Sequence, residues 1–172
     1  MLNLRLNHAV LFVSDLRVSV DFYRDVLGFT YSAHGDDRPG AAFLRAPGSA
    51  NDHDLGLFQV GPQAASSAVR ERAVGLYHLA WEVETLDALE SVREKLLAAG
   101  SLRGASNHGL SKSLYAQDPD GLEFEIVWIV PAQLAAPHDL AVGRTILPLD
   151  IEAEVATYGR HTPGGHASVA SR

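Results

Sequence analysis

The carboxylate of Glu125 stands in the middle of an apolar stretch, LEFEIVW, which has the composition of a buried β-strand. Large aliphatic and aromatic residues alternate on both faces of this strand. An unpaired carboxylate is costly to bury, so we expect a metal ion or another polar partner beside it. Glu123 is the competing acid on the same strand face, but it adjoins the turn DPDG, where solvation is expected. Glu125 is therefore the carboxylate that we consider for chemistry.

Two histidines occupy the same place in a sequence repeat. HAVLFVSDLRVSVDFYRDVLG begins at His8, and HLAWEVETLDALESVREKLLAAG begins at His78, 70 residues later. A single histidine on a strand is more often a hydrogen-bonded core or edge residue than a metal ligand. Two histidines in equivalent places, together with Glu125, instead give the two imidazoles and one carboxylate typical of non-haem Fe(II) oxygenases, with positions left open for substrate and oxygen. The sequence thus predicts a metal site made by His8, His78 and Glu125.

Each copy of the repeat has the pattern of a strand followed by an amphipathic helix. The candidate N-cap residues are Ser14 or Asp15 in the first copy and Thr85 in the second, and Gly28 and Gly100 end the two helices. Apolar residues recur at spacings of three and four along both helices. Shorter β-like runs follow, which are FTYSA, AAFLRA and HDLGLFQV in the first half and SKSLYAQ and LEFEIVW in the second. We therefore predict an α+β fold of two βαβββ modules.

The modules are predicted to span residues 1–62 and 76–130, with a linker of small and polar residues at 63–75. Residues 131–172 lie outside the repeat and form a C-terminal extension. Its segment TILPLDIEAEV is too apolar to be freely solvated, so we expect it to pack on the body of the domain or on a neighbouring chain. The final segment, TPGGHASVASR, is expected to be disordered.

The composition excludes several classes of function. Lys and Arg number 14 against 21 Asp and Glu, a net charge of −7, and no basic stripe is present, so nucleic acid is not expected as a partner. The chain has no cysteine, so any metal must be held by His, Asp or Glu. No segment has the pattern of a secretory signal or a membrane span. A soluble cytoplasmic protein without a membrane partner is expected.

Three motifs, NHAVLFVSDLRVSVDFYRDVLGF, LYHLAWEV and LYAQDPDGLEFE, resemble those of the vicinal oxygen chelate superfamily. This superfamily includes glyoxalases, fosfomycin-resistance enzymes, bleomycin-binding proteins and extradiol ring-cleaving dioxygenases. The resemblance covers about residues 4–130. It implies that paired βαβββ modules form a cup around a metal ion, and that the ligands are His8, His78 and Glu125.

Within that superfamily the chain is most similar to the type I extradiol dioxygenases. Their signature runs from a histidine through an aliphatic residue, a tyrosine and an Asp-Pro-x-Gly turn to the ligand glutamate, and it is matched by His108, Leu114, Tyr115, the DPDG turn and Glu125. His53, in DHDLGLF, stands where that family has its acid/base histidine. The resemblance implies that His53 transfers protons, that Tyr115 hydrogen-bonds the catecholate or the developing ketone, and that His108 lines the pocket and positions the ring.

The activity that this resemblance implies is the opening of a catechol-type aromatic ring by insertion of O2. The implied cofactor is Fe(II), with Mn(II) as the alternative metal. The implied partners are a small aromatic diol and O2, and we expect the chain to form a homo-oligomer.

Other members of the superfamily give the alternatives. Glyoxalase-like lyases have a fourth ligand, normally glutamate, at the first-module counterpart of Glu125, where this chain has Leu55 or Gly56. Fosfomycin-type transferases share the three ligands but need basic residues for a phosphonate, and Lys112 and Arg45 are the only candidates near the matched strands. Bleomycin-type binding proteins generally lack the ligands. Extradiol cleavage is therefore the first hypothesis, a related metal-dependent enzyme the second, and a binding protein the third.

Overall fold

The computed structural model describes residues 2, 4–33, 38–65, 74–142 and 145–165 of the chain. Two compact units make up the protein. One comprises Met1–Glu71 together with the turn Asp118–Gly121, and the other comprises Arg72–Gln117 together with Leu122–Arg172. The fold is α+β, as predicted. Among the residues described, none of the helices has the length and apolar character that crossing a bilayer requires.

The first unit contains one strand, one helix and then three further strands along its described part. The elements are β1 (Ala9–Val13), α1 (Leu16–Asp25), β2 (Thr30–Tyr31), β3 (Ala41–Arg45) and β4 (Leu55–Gln59). These strands form a sheet in the order β1-β4-β3-β2. Strand β1 runs parallel to β4, whereas the other neighbours are antiparallel. The sheet therefore has the βαβββ connectivity that the sequence predicts.

Helix α1 packs on β3 and β4 through the apolar stripe seen in the sequence. Asp15 is the N-cap, because its side chain accepts a hydrogen bond from the backbone nitrogen of Val18. Gly28 follows the helix with a φ of 76°, a conformation that favours glycine. Val20 and Tyr23 are buried on the helix side of the core. The buried strand residues are Leu11, Val13, Leu44, Leu55 and Leu57.

The turn Asp118–Gly121 has the chemistry expected of Asp-Pro-Asp-Gly. An Asp118 carboxylate oxygen accepts a hydrogen bond from the backbone nitrogen of Asp120, and the Gly121 nitrogen donates to the Asp118 carbonyl. The same carboxylate also accepts from the hydroxyl of buried Tyr23 at 3.1 Å. Burial raises the pKa of Tyr23 well above its usual value, and the adjacent Asp118 charge raises it further. Asp118 thus serves the turn and the core of the first unit.

The second unit repeats this connectivity and then extends it. Its elements are β5 (His78–Glu82), α2 (Leu86–Ala98), β6 (Leu102–Asn107), β7 (Ser111–Gln117), β8 (Glu123–Ile129), α3 (Pro137–Val142), β9 (Leu147–Pro148) and α4 (Ile151–Tyr158). The described strands form a sheet in the order β5-β8-β7-β6-β9. Strand β5 is parallel to β8, and the remaining neighbours are antiparallel.

Helix α2 begins and ends where the sequence indicates. The Thr85 side chain accepts a hydrogen bond from the Ala88 nitrogen, and Gly100 follows the helix with a φ of 66°. The helix packs on β6, β7 and β8, and its buried residues are Leu86, Leu89 and Leu96. Strand β6, with the sequence LRGASN, is not among the β-like runs found in the sequence, because small and polar residues dominate it.

The C-terminal extension packs on the body of the second unit, as expected for its apolar segment. Strand β9 pairs with β6, and α4 buries Ile151 and Tyr158, although Ile146 remains 70% exposed. The Tyr158 ring lies against Trp128 of β8, with ring centroids 5.6 Å apart. Gly164 donates a hydrogen bond to the Glu84 carbonyl at 2.7 Å. Residues 66–73 of the predicted linker and residues 166–172 of the end expected to be disordered lie outside the described residues.

Lys112 is buried where β7 meets the extension. Its Nζ lies 3.0 Å from Glu154 Oε2 and 3.6 Å from Asp139 Oδ1, and Lys112 and Asp139 are each only 1% exposed. The Tyr158 hydroxyl donates to Asp139 Oδ1 at 2.6 Å. Burial would raise the pKa of Asp139, but hydrogen bonds from Tyr158 and the Ala136 nitrogen, with the Lys112 charge, lower it. Burial and the Asp139 carboxylate raise the pKa of Tyr158.

Candidate functional site

Glu125 has two polar partners in the second unit, and these explain how an acid is tolerated in an apolar strand. Its partner across the β7–β8 ladder is Tyr115, whose hydroxyl donates to Glu125 Oε1 at 3.3 Å. The other carboxylate oxygen, Oε2, lies 3.2 Å from Nε2 of His78. The Glu125 side chain is 14% exposed. The strand thus presents a half-buried carboxylate, on the face opposite its buried row of Phe124, Ile126 and Trp128.

His78 lies directly beside Glu125. It is the first residue of β5, which runs parallel beside β8. Its Nδ1 is buried and has no hydrogen-bond partner among the described residues. Neighbouring ligand atoms about 2.1 Å from an octahedral ion lie roughly 3 Å apart. The 3.2 Å between His78 Nε2 and Glu125 Oε2 is close to that separation, and imidazole with carboxylate is a donor pair that Fe(II) accepts.

His108 and Tyr115 continue this polar row away from Glu125. His108 Nε2 lies 3.0 Å from the Tyr115 hydroxyl, and the Tyr115 ring lies 5.9 Å from that of His78. Burial raises the pKa of Tyr115, and the neighbouring Glu125 carboxylate raises it further. Four side chains of the second unit, namely His78, Glu125, Tyr115 and His108, therefore form one connected polar row, which we call the second-unit row.

His8 and His53 lie together in the first unit. His8 directly precedes β1 and His53 precedes β4, and the two strands are parallel neighbours in which Ala9 pairs with Leu55. The imidazole centroids are consequently 4.5 Å apart. The Phe43 ring lies beside His53, with centroids 5.0 Å apart. The parallel pairing of the two strands is what brings these histidines, 45 residues apart in sequence, into contact.

Asp52 is a polar partner of His53 that was not predicted from the sequence. Its Oδ2 lies 2.9 Å from His53 Nδ1, and the His53 side chain is 21% exposed. A carboxylate at Nδ1 favours a proton on that nitrogen and leaves Nε2 as an acceptor. The run Asp-His-Asp at positions 52–54 is the sequence signal that could have indicated it. The second carboxylate, Asp54, instead organises the loop by accepting from Ser49, Asn51 and the Ala46 nitrogen.

Gly56 occupies the first-unit position that corresponds to Glu125. In the second unit Glu125 pairs with Ala80, two residues after His78, whereas in the first unit Gly56 pairs with Val10, two residues after His8. A Cβ added to Gly56 would lie 3.4 Å from Val10 and 3.5 Å from the ring of Phe43. The space that a carboxylate side chain would need at this position is therefore lined by Val10 and Phe43.

The predicted site residues fall into two groups. The second unit brings together His78, His108, Tyr115 and Glu125, and the first unit brings together His8 and His53. In the part of the chain that the structure describes, no three His, Asp or Glu side chains are gathered in a way that could hold a metal ion. The ligand set of His8, His78 and Glu125 accordingly stays a prediction.

The two basic residues considered for phosphonate binding differ in their surroundings. Lys112 is buried and paired with carboxylates of the extension, on the face of β7 opposite Tyr115. Arg45 is exposed at the end of β3. Lys112 is thus engaged in the fold and is not available to a ligand at the second-unit row.

A comparison with family models gives a match over residues 5–126 to the glyoxalase/bleomycin resistance protein/dioxygenase superfamily. Two curated relatives are each 31% identical. Metapyrocatechase 2 of Cupriavidus necator matches over 121 residues, which are 68% of this chain and 34% of that protein. Catechol-2,3-dioxygenase of Bacillus subtilis (strain 168) matches over 122 residues, which are 70% of this chain and 40% of that protein. The match thus spans well under half the length of these two relatives.

A third relative is named for a different reaction. Lactoylglutathione lyase of Neisseria meningitidis serogroup A is 27% identical over 127 residues, which are 72% of this chain and 90% of that protein. The proteins similar to this chain therefore include a catechol-2,3-dioxygenase as well as a lactoylglutathione lyase.

Proposed function

Since the chain belongs to the glyoxalase/bleomycin resistance protein/dioxygenase superfamily, we propose that it is an Fe(II)-dependent extradiol dioxygenase. Its substrates would be a small aromatic diol of the catechol type and O2. The observation that carries this proposal is the second-unit row, in which Glu125, Tyr115 and His108 of the extradiol signature contact one another in order. Two relatives named for catechol chemistry, at 31% identity, support the same activity.

We propose His8, His78 and Glu125 as the residues that hold the metal, with Mn(II) as the alternative to Fe(II). The 3.2 Å separation of His78 Nε2 from Glu125 Oε2 fits this assignment. When bound, such a metal would supply Lewis acidity toward the catechol and a route for electron density between catechol and O2. The protein must then position the ring and move protons.

His53 is the residue that we propose for proton transfer. Asp52 at Nδ1 holds the proton on that nitrogen, so Nε2 can accept a proton from a catechol hydroxyl and later return it. Histidine suits this role because its charge changes near neutral pH. The adjacent His8 ring, 4.5 Å away, keeps His53 beside a proposed metal ligand.

Tyr115 and His108 are proposed to orient the substrate. The Tyr115 hydroxyl donates to Glu125 in this structure and would donate to a substrate oxygen when one is bound. His108 Nε2 lies 3.0 Å from that hydroxyl and so limits where it can point. Together these two residues would fix the oxygen-bearing edge of the ring relative to the metal ligand Glu125.

A glyoxalase-like lyase is the second candidate, and the match to 90% of a lactoylglutathione lyase favours it. In such lyases the first module supplies a fourth ligand at the counterpart of Glu125. Here that counterpart is Gly56, which cannot ligate a metal through a side chain, and Val10 and Phe43 line the space above it. This difference is why we place ring cleavage first.

Anaerobic metal analysis followed by a substrate panel tests the proposal. Protein purified without oxygen is assayed for iron and then mixed with catechols in aerated buffer, while O2 uptake and the yellow ring-fission product are recorded. Uptake of one O2 per catechol cleaved, with colour, is the expected result. No cleavage by either the Fe(II)-loaded or the Mn(II)-loaded protein would overturn it. Formation of lactoylglutathione by the same preparations would favour the lyase instead.

We also propose that the chain forms a homo-oligomer. An alternating row of apolar side chains on the N-terminal segment and β1 is exposed in the single chain, namely Leu2, Leu4, Leu6, Val10 and Phe12. Several large apolar side chains exposed on one segment often mark an association surface. Light scattering is expected to give a mass above that of one 18.5 kDa chain, and Leu4→Asp is expected to lower it. A monomer at all concentrations would contradict this.

A further inference from the structure

The C-terminal extension is attached to the loop that carries His108. Asn107 ends β6 and directly precedes His108, and its side chain makes three hydrogen bonds. Its Oδ1 accepts from the Gly109 nitrogen at 2.8 Å and from Lys112 Nζ at 3.0 Å. Its Nδ2 donates to Glu154 Oε1 of α4 at 2.8 Å. One side chain thus connects the loop, β7 and the extension.

Lys112 closes this connection into a ring of contacts. Its ammonium group lies 3.0 Å from Glu154 Oε2 as well as 3.0 Å from Asn107 Oδ1. Asn107, Lys112 and Glu154 therefore each contact the other two. Lys112 is 1% exposed and Glu154 is 12% exposed, so these contacts are shielded from water and restrict all three side chains.

The loop backbone also lies directly on helix α3. A Cβ added to Gly109 would come within 1.9 Å of the Asp139 carbonyl oxygen, so any other residue at this position would require a backbone shift. Gly109 has a φ of 81°, which further favours glycine. The His108 nitrogen donates to the Ser111 carbonyl at 2.9 Å and closes the loop. Side chain and backbone thus both fix the loop against the extension.

We infer that Asn107 is a positioning residue, and that the Asn107–Lys112–Glu154 cluster uses the C-terminal extension to hold His108 against Tyr115. His108 Nε2 is 3.0 Å from the Tyr115 hydroxyl, and its Cα is one residue from the fixed Asn107. Release of Asn107 would let the loop move and would change the His108–Tyr115 contact. A shift of about 1 Å in a positioning group is enough to lower a rate by about 10²-fold. The catalytic part of this inference rests on the proposed dioxygenase activity.

The first test replaces Asn107 by Ala and reads out the His108 ring directly. In histidine labelled with ¹³C at Cε1, the His108 signal is assigned by its loss in His108→Gln. We expect Asn107→Ala to shift or broaden that signal and to speed amide hydrogen exchange at residues 106–110. Turnover of the best catechol is expected to fall about 10–100-fold in kcat/KM with iron content unchanged.

A charge-balanced double variant tests whether the contact itself matters. Asn107→Asp alone sets a second carboxylate against Glu154 and is expected to disturb the His108 signal. Asn107→Asp with Glu154→Gln reverses donor and acceptor across the same 2.8 Å contact, because the glutamine amide can donate to the new aspartate. This pair is expected to restore the His108 signal and to bring kcat/KM back to within about threefold of wild type.

Arg160→Ala is the control, since it loosens the same extension elsewhere. Arg160 contacts Glu90 and Asp87 of α2 and Glu152 of α4, and not the His108 loop. It is expected to lower the melting temperature while leaving the His108 signal in place. An unmoved His108 signal in Asn107→Ala, or an equal change in Arg160→Ala, would overturn the inference. If the wild type cleaves no catechol, the proposed function fails, and the His108 signal still decides the inference.

Discussion

The two units share a backbone pattern and differ in the side chains that it carries. Both sheets place a parallel pair next to an antiparallel hairpin, and equivalent strands meet at equivalent register. The row across three neighbouring strands is Val10–Gly56–Phe43 in the first unit and Ala80–Glu125–Tyr115 in the second. Backbone ladder bonds do not depend on side-chain type. A duplicated sheet can therefore keep its geometry while one copy becomes apolar and the other polar.

The different side chains suggest different roles for the two units under the proposed function. The first unit keeps two histidines beside an aromatic surface, in which Phe43 contacts both His53 and Phe58. The second unit keeps the carboxylate and the hydrogen-bonding residues Tyr115 and His108. Under the proposed function, proton transfer belongs to the first unit and the anionic metal ligand to the second. Substitutions that remove or transfer these features test the contrast.

The largest effect is expected from Glu125→Ala, which gives the second unit the character of the first. It removes the anionic ligand, so both iron occupancy and turnover are expected to collapse. Loss of groups outside the ligand sphere already costs about 10–100-fold in metal affinity, and loss of a ligand should exceed this. Metal analysis and O2 uptake check the result. If Glu123→Ala lost iron and Glu125→Ala kept it, the competing acid would be the ligand.

His53→Phe is expected to separate chemistry from binding. The proposed metal ligands stay intact, so iron and catechol should still bind while kcat falls about 10²–10⁴-fold, the usual contribution of a positioned acid or base. Asp52→Asn is expected to give a smaller loss, because it removes only the group at Nδ1. Steady-state kinetics on iron-assayed samples measure both. Loss of iron from His53→Phe would make His53 a ligand and contradict its assigned role.

The equivalent positions Tyr115 and Phe43 allow a matched exchange. Tyr115→Phe removes the hydroxyl that donates to Glu125, a hydrogen bond worth about 1–3 kcal/mol in a half-buried site, so kcat/KM should fall about 5–150-fold. Phe43→Tyr adds a hydroxyl above Gly56, where the equivalent position has no carboxylate, and should change kcat/KM less than about threefold. If both variants lost kcat/KM equally, the corresponding positions of Tyr115 and Phe43 in the two sheets would not differ in function.

The smallest effect concerns alkaline stability, to which both units contribute. Burial, with the adjacent carboxylates Asp118 and Asp139, raises the pKa of Tyr23 in one unit and of Tyr158 in the other. A raised folded-state pKa gives stability that is complete below the unfolded value of about 10 and is lost as pH rises beyond it. Each tyrosine should add at most about 1.4 kcal/mol per pH unit to the decrease in unfolding free energy as pH rises. Urea unfolding between pH 8 and 11 checks this, and Tyr23→Phe and Tyr158→Phe should each flatten the curve.

Asp139 is the one among these groups from which we expect a loss of folding stability at acid pH. Its lowered pKa gives stability that is present above the ordinary value of about 3.8 and is lost as pH falls through the folded value. Asp139→Asn should therefore lose this acid dependence while also lowering stability at neutral pH. If the unfolding free energy of Asp139→Asn fell at acid pH as much as that of the wild type, Asp139 would not be its cause.

Much of the fold could be predicted because the responsible signals are local. Thr85 and Asp15 cap helices where the pattern places caps, and the Asp-Pro-Asp-Gly turn forms through its own side chains. The repeat indicated two βαβββ modules because equivalent histidines stand at the start of equivalent strand and helix patterns. Strand β6 was missed because Gly104, Ser106 and their neighbours have low strand propensity, and pairing with β7 determines their conformation.

Contacts among the proposed site residues could be predicted only where these residues are close in sequence or repeated. Glu125 and Tyr115 belong to one hairpin, so their contact follows from a strand–turn–strand pattern. The parity of positions 112 and 115 also puts Lys112 on the other face of β7 from Tyr115. Nothing local shows that Asp139 and Glu154, 27 and 42 residues further along, neutralise that lysine. These ion pairs depend on where the C-terminal extension packs, and the spacing of apolar residues in the sequence does not indicate this.

The end of the family match and the end of the segment that packs around Lys112 lie at different positions in the chain. The family match ends at residue 126, yet the carboxylates that face this ammonium group lie at positions 139 and 154. A chain cut after β8 would keep every residue proposed for the chemistry and would leave a lysine in the sheet with no counter-charge. The family match therefore ends before the segment that supplies the counter-charges of Lys112, which extends into α4.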